Sequence, residues 1–305
     1  MIYDKRVYIE RSNHAMLELK VPATSANLGP GFDCLGLALQ VYNRFTFEKS
    51  KEGLEVNVYN NNEEEIEIRL EDNLIYQTIK RFEKRTGLDV NNIKITERSK
   101  VPLARGMGSS ATAIVATLYG LNKIYDQPLK EKQLIDIAVS LEGHSDNVVP
   151  AYIGGFVINT LNNKDLNYKK ISVTDSNLKL VMVIPNFELQ TSELRSVLPD
   201  KIDYQDAIFN QSRTALLTSI FASKDWNQLK VAMEDRLHQD YRAKLIPGFN
   251  SVIESGYKAG ALGVALSGAG PTVIAFAQGD SQHIAKRMVE TFAANGVQSS
   301  YIITK

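Results

Sequence analysis

Residues 102–111, Pro102-Leu103-Ala104-Arg105-Gly106-Met107-Gly108-Ser109-Ser110-Ala111, decide how this chain is read. The strand-like run Ile93-Lys94-Ile95-Thr96 stands before them. The apolar helix pattern Ala113-Ile114-Val115 through Leu118 and Leu121 stands after them. A glycine-rich turn that feeds a helix start is an anion site. Its glycines let backbone N–H groups converge on one oxyanion, and the helix dipole adds positive potential there. Ser109 and Ser110 suit the first helical turn, where a hydroxyl caps a free N–H or reaches a metal ion. The G-x-x-x-x-G-K-[ST] spacing and its lysine are absent, and G-x-G-x-x-G fails at Ala111, so neither common nucleotide fingerprint fits. On their own, the same residues also read as a tight loop in front of a core helix.

The chain has 305 residues, enough for a large core divided between two domains. With 44% hydrophobic and 23% charged residues it has the composition of an ordinary globular protein. Lys+Arg and Asp+Glu balance at 35 each, which gives no electrostatic reason to expect nucleic acid or an anionic membrane as partner. The single cysteine, Cys34, excludes an intrachain disulfide and a cysteine-built zinc site. No apolar run approaches the roughly 20 residues that span a bilayer. No signal-peptide core follows Met1-Ile2-Tyr3-Asp4-Lys5-Arg6, so the expected location is the cytoplasm.

Outward from the glycine loop, Met16 to Val21 alternates as a half-buried strand does. Pro22-Ala23-Thr24-Ser25-Ala26-Asn27-Leu28-Gly29-Pro30-Gly31-Phe32-Asp33 is then dense in turn formers, yet lies between apolar runs. Twelve such residues read as a working loop rather than a spacer. Leu35 to Val41, Phe45 to Glu48 and Leu54 to Tyr59 read as strands, and Asn73 reads as the cap of a helix to about Arg85, stopped by Gly87. A helix over Leu134 to Leu141 ends in Glu142-Gly143-His144-Ser145-Asp146-Asn147. Glu142, His144, Asp146 and Asn147 make four groups able to ligate or move protons within six residues, beside an anion loop. The alternative is a hydrated helix end.

The polar stretch 162–177 places the domain boundary, giving domains 1–165 and 166–305. Beyond it the pattern predicts strands over 178–185 and 297–303. It predicts helices over 191–195, 204–222, 226–237, 244–259 and 284–292. Residues 260–276 read as strand, glycine turn and strand.

Three motifs in this order, Pro22 to Asp33, Pro102 to Ala111 and Ser267-Gly268-Ala269-Gly270-Pro271-Thr272, resemble the GHMP small-molecule kinases over essentially the whole chain. Within that family, Pro22 to Gly36 and the Glu142 to Asn147 block resemble the homoserine kinase branch. The resemblance implies an α+β fold of two domains. The N-terminal, ATP-binding domain would resemble a ribosomal-protein domain with a left-handed βαβ crossover, and the C-terminal domain would be ferredoxin-like. Periodicity alone would not show that crossover, since parallel crossovers are nearly always right-handed.

The resemblance further implies that Pro102, Leu103, Ala104, Arg105, Gly106, Met107, Gly108, Ser109, Ser110 and Ala111 wrap the ATP phosphates. Ser110 and Glu142 would hold Mg²⁺, which shares oxygen ligands with phosphate and keeps several waters. Asn73 would lie near the adenine or ribose, and Ser267 to Thr272 would brace the loop. For L-homoserine, Asp33 would take the ammonium with Asn27 beside it. Arg195 and Arg242 would take the carboxylate, whose geometry a guanidinium fork matches, and Thr191 would add a hydroxyl. Asp146 and Asn147 would face the attacking hydroxyl, with Asp146 a candidate base. For either arginine, a surface salt bridge is the bland alternative.

The expected activity is ATP-dependent phosphorylation of L-homoserine in threonine biosynthesis. The expected partners are a small-molecule substrate and a second copy in a homodimer, without nucleic acid or membrane. The alternatives are another GHMP kinase acting on mevalonate, shikimate or a sugar, and a non-catalytic nucleotide-binding regulator.

Overall fold

The computed structural model of the chain describes residues 7–12, 16–162, 165–173, 175 and 177–305. Among them, a seven-stranded sheet carries the first half of the chain. Its strands are β1 (Tyr8–Ser12), β2 (Met16–Ala26), β3 (Leu35–Lys49), β4 (Glu55–Tyr59), β5 (Ile93–Arg98), β6 (Phe156–Asn162) and β7 (Asp165–Ile171). Off the path β1-β2-β3-β5-β4, β6 pairs with Leu35 to Leu37 at the start of β3, on the edge that β5 takes farther along, and β7 pairs with β6. The parallel pair β4–β5 is joined through α1 (Leu74–Thr86), the crossover unit of the expected fold. Three further helices follow: α2 (Ser109–Ile124), α3 (Glu131–Glu142) and α4 (Val148–Ile153).

The strand over Met16 to Val21 does not end there. It continues through Ala26, so the working loop shrinks to Asn27–Cys34. Leu35 to Lys49 is likewise one strand rather than two. A register shift between Pro22 and Thr24 turns the strand over. Leu17, Leu19 and Val21 pack with the helices, whereas Ala23 packs with the second domain. Pro22 has no N–H to give to the ladder, and such positions collect at bulges. Past the bulge the alternation vanishes, because both faces of the sheet are covered: Val21 to Pro30 are all buried.

The second half forms a four-stranded antiparallel sheet in the order β11-β8-β10-β9. In chain order it runs β8 (Lys179–Pro185), α5 (Thr191–Ser196), α6 (Tyr204–Ser223), α7 (Leu229–Ala232), α8 (Gln239–Arg242), α9 (Phe249–Lys258), β9 (Gly263–Leu266), β10 (Val273–Ala277), α10 (Ser281–Ala294) and β11 (Ser299–Thr304). With α5 to α9 together in the first helical position, this is the split βαββαβ order of a ferredoxin-like sandwich. The expected boundary at 165 falls inside the β6–β7 hairpin, whose second strand pairs into the first sheet. The chain reaches the second sheet only at Lys179.

Two expected helices are broken. Over 226–237, a 3₁₀ turn at Trp226–Gln228 and the short α7 give way to irregular backbone. There the Asp235 carboxylate accepts from the N–H groups of Leu237, His238 and Gln239. Only Leu237 of these lies in the expected helix; a carboxylate that captures the amides following it starts a new turn rather than prolonging the old one. Over 244–259, Pro247-Gly248 delays the helix to Phe249.

One apolar cluster joins the two sheets. Leu37, Leu39 and Phe156 of the first pack with Leu180, Met182, Ile274 and Phe276 of the second and with Phe221 of α6. Phe156 and Phe221 stack at 4.0 Å between centroids. This shared core fixes the cleft in which the sequence motifs meet.

Candidate active site

The glycine loop runs from β5 into α2 and is gripped from outside its own domain. Ser267 Oγ donates to Gly106 O at 2.7 Å, and Thr272 N–H donates to Arg105 O at 3.2 Å. Thr24 N–H donates to Met107 O at 3.1 Å. Gly106 has φ +77°, and a Cβ there would sit 2.3 Å from Ser267 O. Gly108, the N-cap of α2, has φ +67°, and a Cβ would meet Thr24 Oγ1 at 1.9 Å. Both positions demand glycine, for backbone angle and for space alike. Among the described residues, the amides of Gly106, Met107, Gly108, Ser109 and Ser110 donate to no protein acceptor. Free amides at a helix N-terminus are what an oxyanion needs. Ser109 Oγ, buried and without a partner, faces the same need.

One cavity of about 330 Å³, in the range of small-molecule sites, gathers most of the expected residues. Leu103 to Ser110, Asn27, Asp33, Asn73, Glu142, Asp146, Asn147, Thr191, Arg195 and Arg242 all line it. Pro102 and Ala111 do not; Ala111 is fully buried in the helical core. The two ends of the ten-residue stretch therefore shape the loop without facing the cleft. Asn73 caps α1 as expected, its Oδ1 accepting from Ile75 N–H at 2.9 Å, and the residue also borders the cavity. Val58, Ile68, Leu74, Ile75 and Glu97 also border the cavity.

Beside the loop, Ser110 Oγ donates to Glu142 Oε1 at 2.5 Å. Glu142 ends α3, and burial pushes its carboxyl above the usual range, only partly offset by the Ser110 bond and the His144 charge. His144 Nδ1 lies 2.7 Å from Asp146 Oδ1. Burial would depress the His144 imidazole, but the bond and charge of Asp146, together with Glu142, outweigh it and raise its pKa. Asn147 is fixed by Thr24, whose hydroxyl donates to its Oδ1 at 2.7 Å. A desolvated carboxylate touching a hydroxyl is a donor set that suits a hard cation sharing its remaining ligands with phosphate. Among the described residues no group of three or more His, Cys, Asp or Glu side chains stands ready to hold a metal alone.

The far end carries the charges. Arg195 makes a bidentate pair with Asp33, Nη1 to Oδ2 at 3.0 Å and Nη2 to Oδ1 at 2.7 Å. Thr191 lies one turn before Arg195 on α5. Asn27 spends its side chain on the frame: Oδ1 accepts from Asp33 N–H at 3.0 Å, and Nδ2 donates to Gly268 O at 2.8 Å. Arg242 is 1% exposed and pairs with no carboxylate among the described residues, so the surface salt-bridge alternative fails for it. Its pKa is pushed down to about 10, first by burial and then by Arg195. Phe32 lies under both guanidinium groups, 5.6 Å from Arg195 and 5.2 Å from Arg242.

Sequence reading missed Thr24, Phe32 and His238 as members of this site. Thr24 and Phe32 sit inside the quoted first motif, which reads as a working loop without singling out either residue. His238 stands four residues before Arg242, the spacing that puts two side chains on one helix face. That signal was present and unused.

The model of the GHMP kinases N terminal domain matches residues 73–155, and that of the GHMP kinases C terminal domain matches 215–294. The chain is 51% identical to a homoserine kinase of Halothermothrix orenii, covering 95% of this chain and 93% of that one. It is 43% identical to a homoserine kinase of Carboxydothermus hydrogenoformans, covering 95% and 94%. Its fold superposes on the crystal structure of a homoserine kinase from Cytophaga hutchinsonii with a TM-score of 0.86 at 28% identity, covering 98% and 97%. The mevalonate kinase of Methanococcus jannaschii shares the fold, with a TM-score of 0.69 at 17% identity, covering 96% and 99%.

Proposed function

The chain belongs to the homoserine kinases of the GHMP kinase family, and we infer from this that its cleft moves the γ-phosphoryl group of ATP to the side-chain hydroxyl of L-homoserine. The product is O-phospho-L-homoserine, which serves threonine biosynthesis. One observation carries this reading: a loop of free amides and a pair of opposite charges line a single cavity together with Asp146 and Asn147.

That arrangement supports the following roles for the residues. Gly106 to Ser110 offer amides to the triphosphate. Ser110 and Glu142 would hold Mg²⁺, which when bound neutralises phosphate charge. Asn73 would border the base or ribose. Ser267 and Thr272 keep the loop in place from the second domain. Asp33 would take the substrate ammonium and Arg195 and Arg242 its carboxylate, with Thr191 at the rim and Asn27 holding Asp33 in position. A bidentate guanidinium recognises a carboxylate by shape as well as charge.

The hydroxyl oxygen forms a bond to the γ-phosphorus, the bond to the bridging oxygen breaks, ADP leaves, and the hydroxyl proton is released. Such transfer needs little covalent help; positioning and charge supply most of the acceleration. Asn147, locked by Thr24, and Asp146, locked by His144, orient the hydroxyl. Because Asp146 Oδ1 is engaged by His144, a proton-accepting role falls to Oδ2. A pH–rate profile of Asp146→Asn that keeps the wild-type acid limb and turnover would remove Asp146 as base.

ADP release measured with L-homoserine, mevalonate, galactose and shikimate tests the substrate. L-homoserine gives the highest kcat/KM; preference for another member of the panel rejects it. Among the described residues no helix is long and apolar enough to cross a membrane.

A further inference from the structure

Arg242 is buried at the end of α8, and its guanidinium is held through Nε and Nη1. Nε donates to Leu194 O at 3.2 Å, and Nη1 is shared between Gly268 O at 3.3 Å and His238 Nδ1 at 3.1 Å. Nη2 makes no hydrogen bond among the described residues, and Arg242 borders the cavity. A guanidinium only donates, so His238 Nδ1 must accept. The other ring nitrogen, Nε2, lies 2.8 Å from Gly29 O. A carbonyl only accepts, so Nε2 must carry the hydrogen. Two neighbours thus fix the ring as the neutral tautomer protonated on Nε2.

The ring has no freedom to answer otherwise. It is 0% exposed and stacks on Phe32 at 5.3 Å between centroids. Its backbone is pinned by Asp235, which accepts from His238 N–H at 3.0 Å and is itself held by Asn210 Nδ2 of α6 at 2.7 Å. The charged groups around it are Asp235, 3.7 Å from Nε2, Arg242 on α8, and Asp33 in the first loop. Arg195 on α5 acts on Arg242 in turn.

We propose that His238 is the positioning residue for Arg242: as a neutral acceptor it holds Nη1 so that Nη2 is presented to the carboxylate of the amino-acid substrate. The proposal rests on the reading of Arg242 as a carboxylate ligand. Protonation would set Nδ1–H against Nη1–H and a cation against a cation, pushing Arg242 out of register. Burial lowers the His238 pKa against the pull of Asp235, and Arg242 lowers it further, so the accepting form persists into mild acid.

Steady-state kinetics on His238→Asn and His238→Gln test this. Asn places a carbonyl oxygen near Nδ1 and keeps the acceptor for Arg242. Gln reaches Gly29 O with its amide and offers Arg242 nothing. One lost hydrogen bond to a charged group predicts that His238→Gln raises the KM for L-homoserine by about tenfold or more, with kcat and the KM for ATP within about twofold. His238→Asn stays within about threefold of wild type, and the rise in homoserine KM that wild type shows on acidification through the His238 pKa is lost. Equal losses in both variants, or losses spread over kcat and both KM values, overturn the proposal. In ¹⁵N spectra of the wild-type enzyme at neutral pH, His238 shows a protonated Nε2 and a bare Nδ1; the opposite tautomer overturns it too. Arg242→Gln separates the two layers. If it leaves the homoserine KM unchanged, the carboxylate reading and this proposal both fall. If it raises that KM while His238→Gln does not, only this proposal falls.

Discussion

Arg195 on α5 and Asp33 in the first loop, 162 positions apart in sequence, meet fork to fork across the domain junction at 2.7 and 3.0 Å. Each is the partner that the opposite end of a zwitterionic substrate would want. These two charges satisfy each other, and an amino acid that offers both an ammonium and a carboxylate can replace the pair without leaving either charge alone. A ligand with only one of the two groups would strand the other partner, which costs more than the pair itself is worth.

Asp33→Asn therefore weakens binding far more than it weakens the fold. Both side chains are about 40% exposed (40% for Arg195, 38% for Asp33), and exposed pairs contribute about 0–1 kcal/mol to stability. Loss of a charge partner for the ammonium raises the KM for L-homoserine by roughly 10- to 100-fold, with the ATP KM nearly unchanged. Initial-rate kinetics and urea midpoints on the same preparation check both halves. A large drop in stability with an unaltered KM would contradict the assignment.

Glu142→Ala removes the buried carboxylate beside Ser110. The expected result is a kcat lower by roughly 10²–10³ with a small change in homoserine KM, because the loss is in charge neutralisation during transfer. Titrating MgCl₂ gives the sharper test. The variant requires more magnesium for half-maximal rate, and a chelator abolishes turnover of the wild type. Unaltered magnesium dependence would show that Glu142 is no ligand.

Gly106→Ala forces a Cβ to 2.3 Å from Ser267 O at a residue with φ +77°. Relief requires the loop to leave the second domain. Stability falls by about 1–3 kcal/mol, and the ATP KM rises while the homoserine KM moves less. Thermal melts with and without ATP show the loss, since bound nucleotide no longer adds its full increment.

Glu97 makes stability depend on pH. It is buried at the cavity wall, accepts from Asn43 Nδ2 at 3.1 Å, and burial raises its pKa from 4.5 to about 7, against the bonds from Ser99 and Asn43. A group raised on folding contributes stability that is complete below its unfolded value and is lost as pH climbs through the folded value. This part of the stability is therefore present below pH 4.5 and declines through about pH 7. Glu97→Gln flattens that decline and recovers a few kcal/mol, on the order of 3, at pH 8. Urea unfolding at pH 5 and pH 8 measures it; parallel curves for both proteins would refute it.

Much of this was legible because it is local. The cap at Asn73 and the left-handed stop at Gly87 were readable from residue type alone, since both satisfy amides and carbonyls within one turn. The strand end at Val21 and the helix over 226–237 were misread. In the first case a bulge and a second covering layer erased the alternation. In the second, the helix stops at Ala232, and Asp235 takes the amides of Leu237, His238 and Gln239 to start a new turn.

By itself the sequence determined an anion loop of free amides at the start of α2, and the motifs by which the chain's family is known. Those depend on glycine and on helix ends, whose chemistry needs no distant partner. Only the tertiary structure decided that Asp33 faces Arg195, that Ser267 clasps Gly106, and that Arg242 Nη1 meets His238 Nδ1. Such contacts join residues brought together by burying Phe156 against Phe221. Sequence spacing carries no distance across a core that only packing creates.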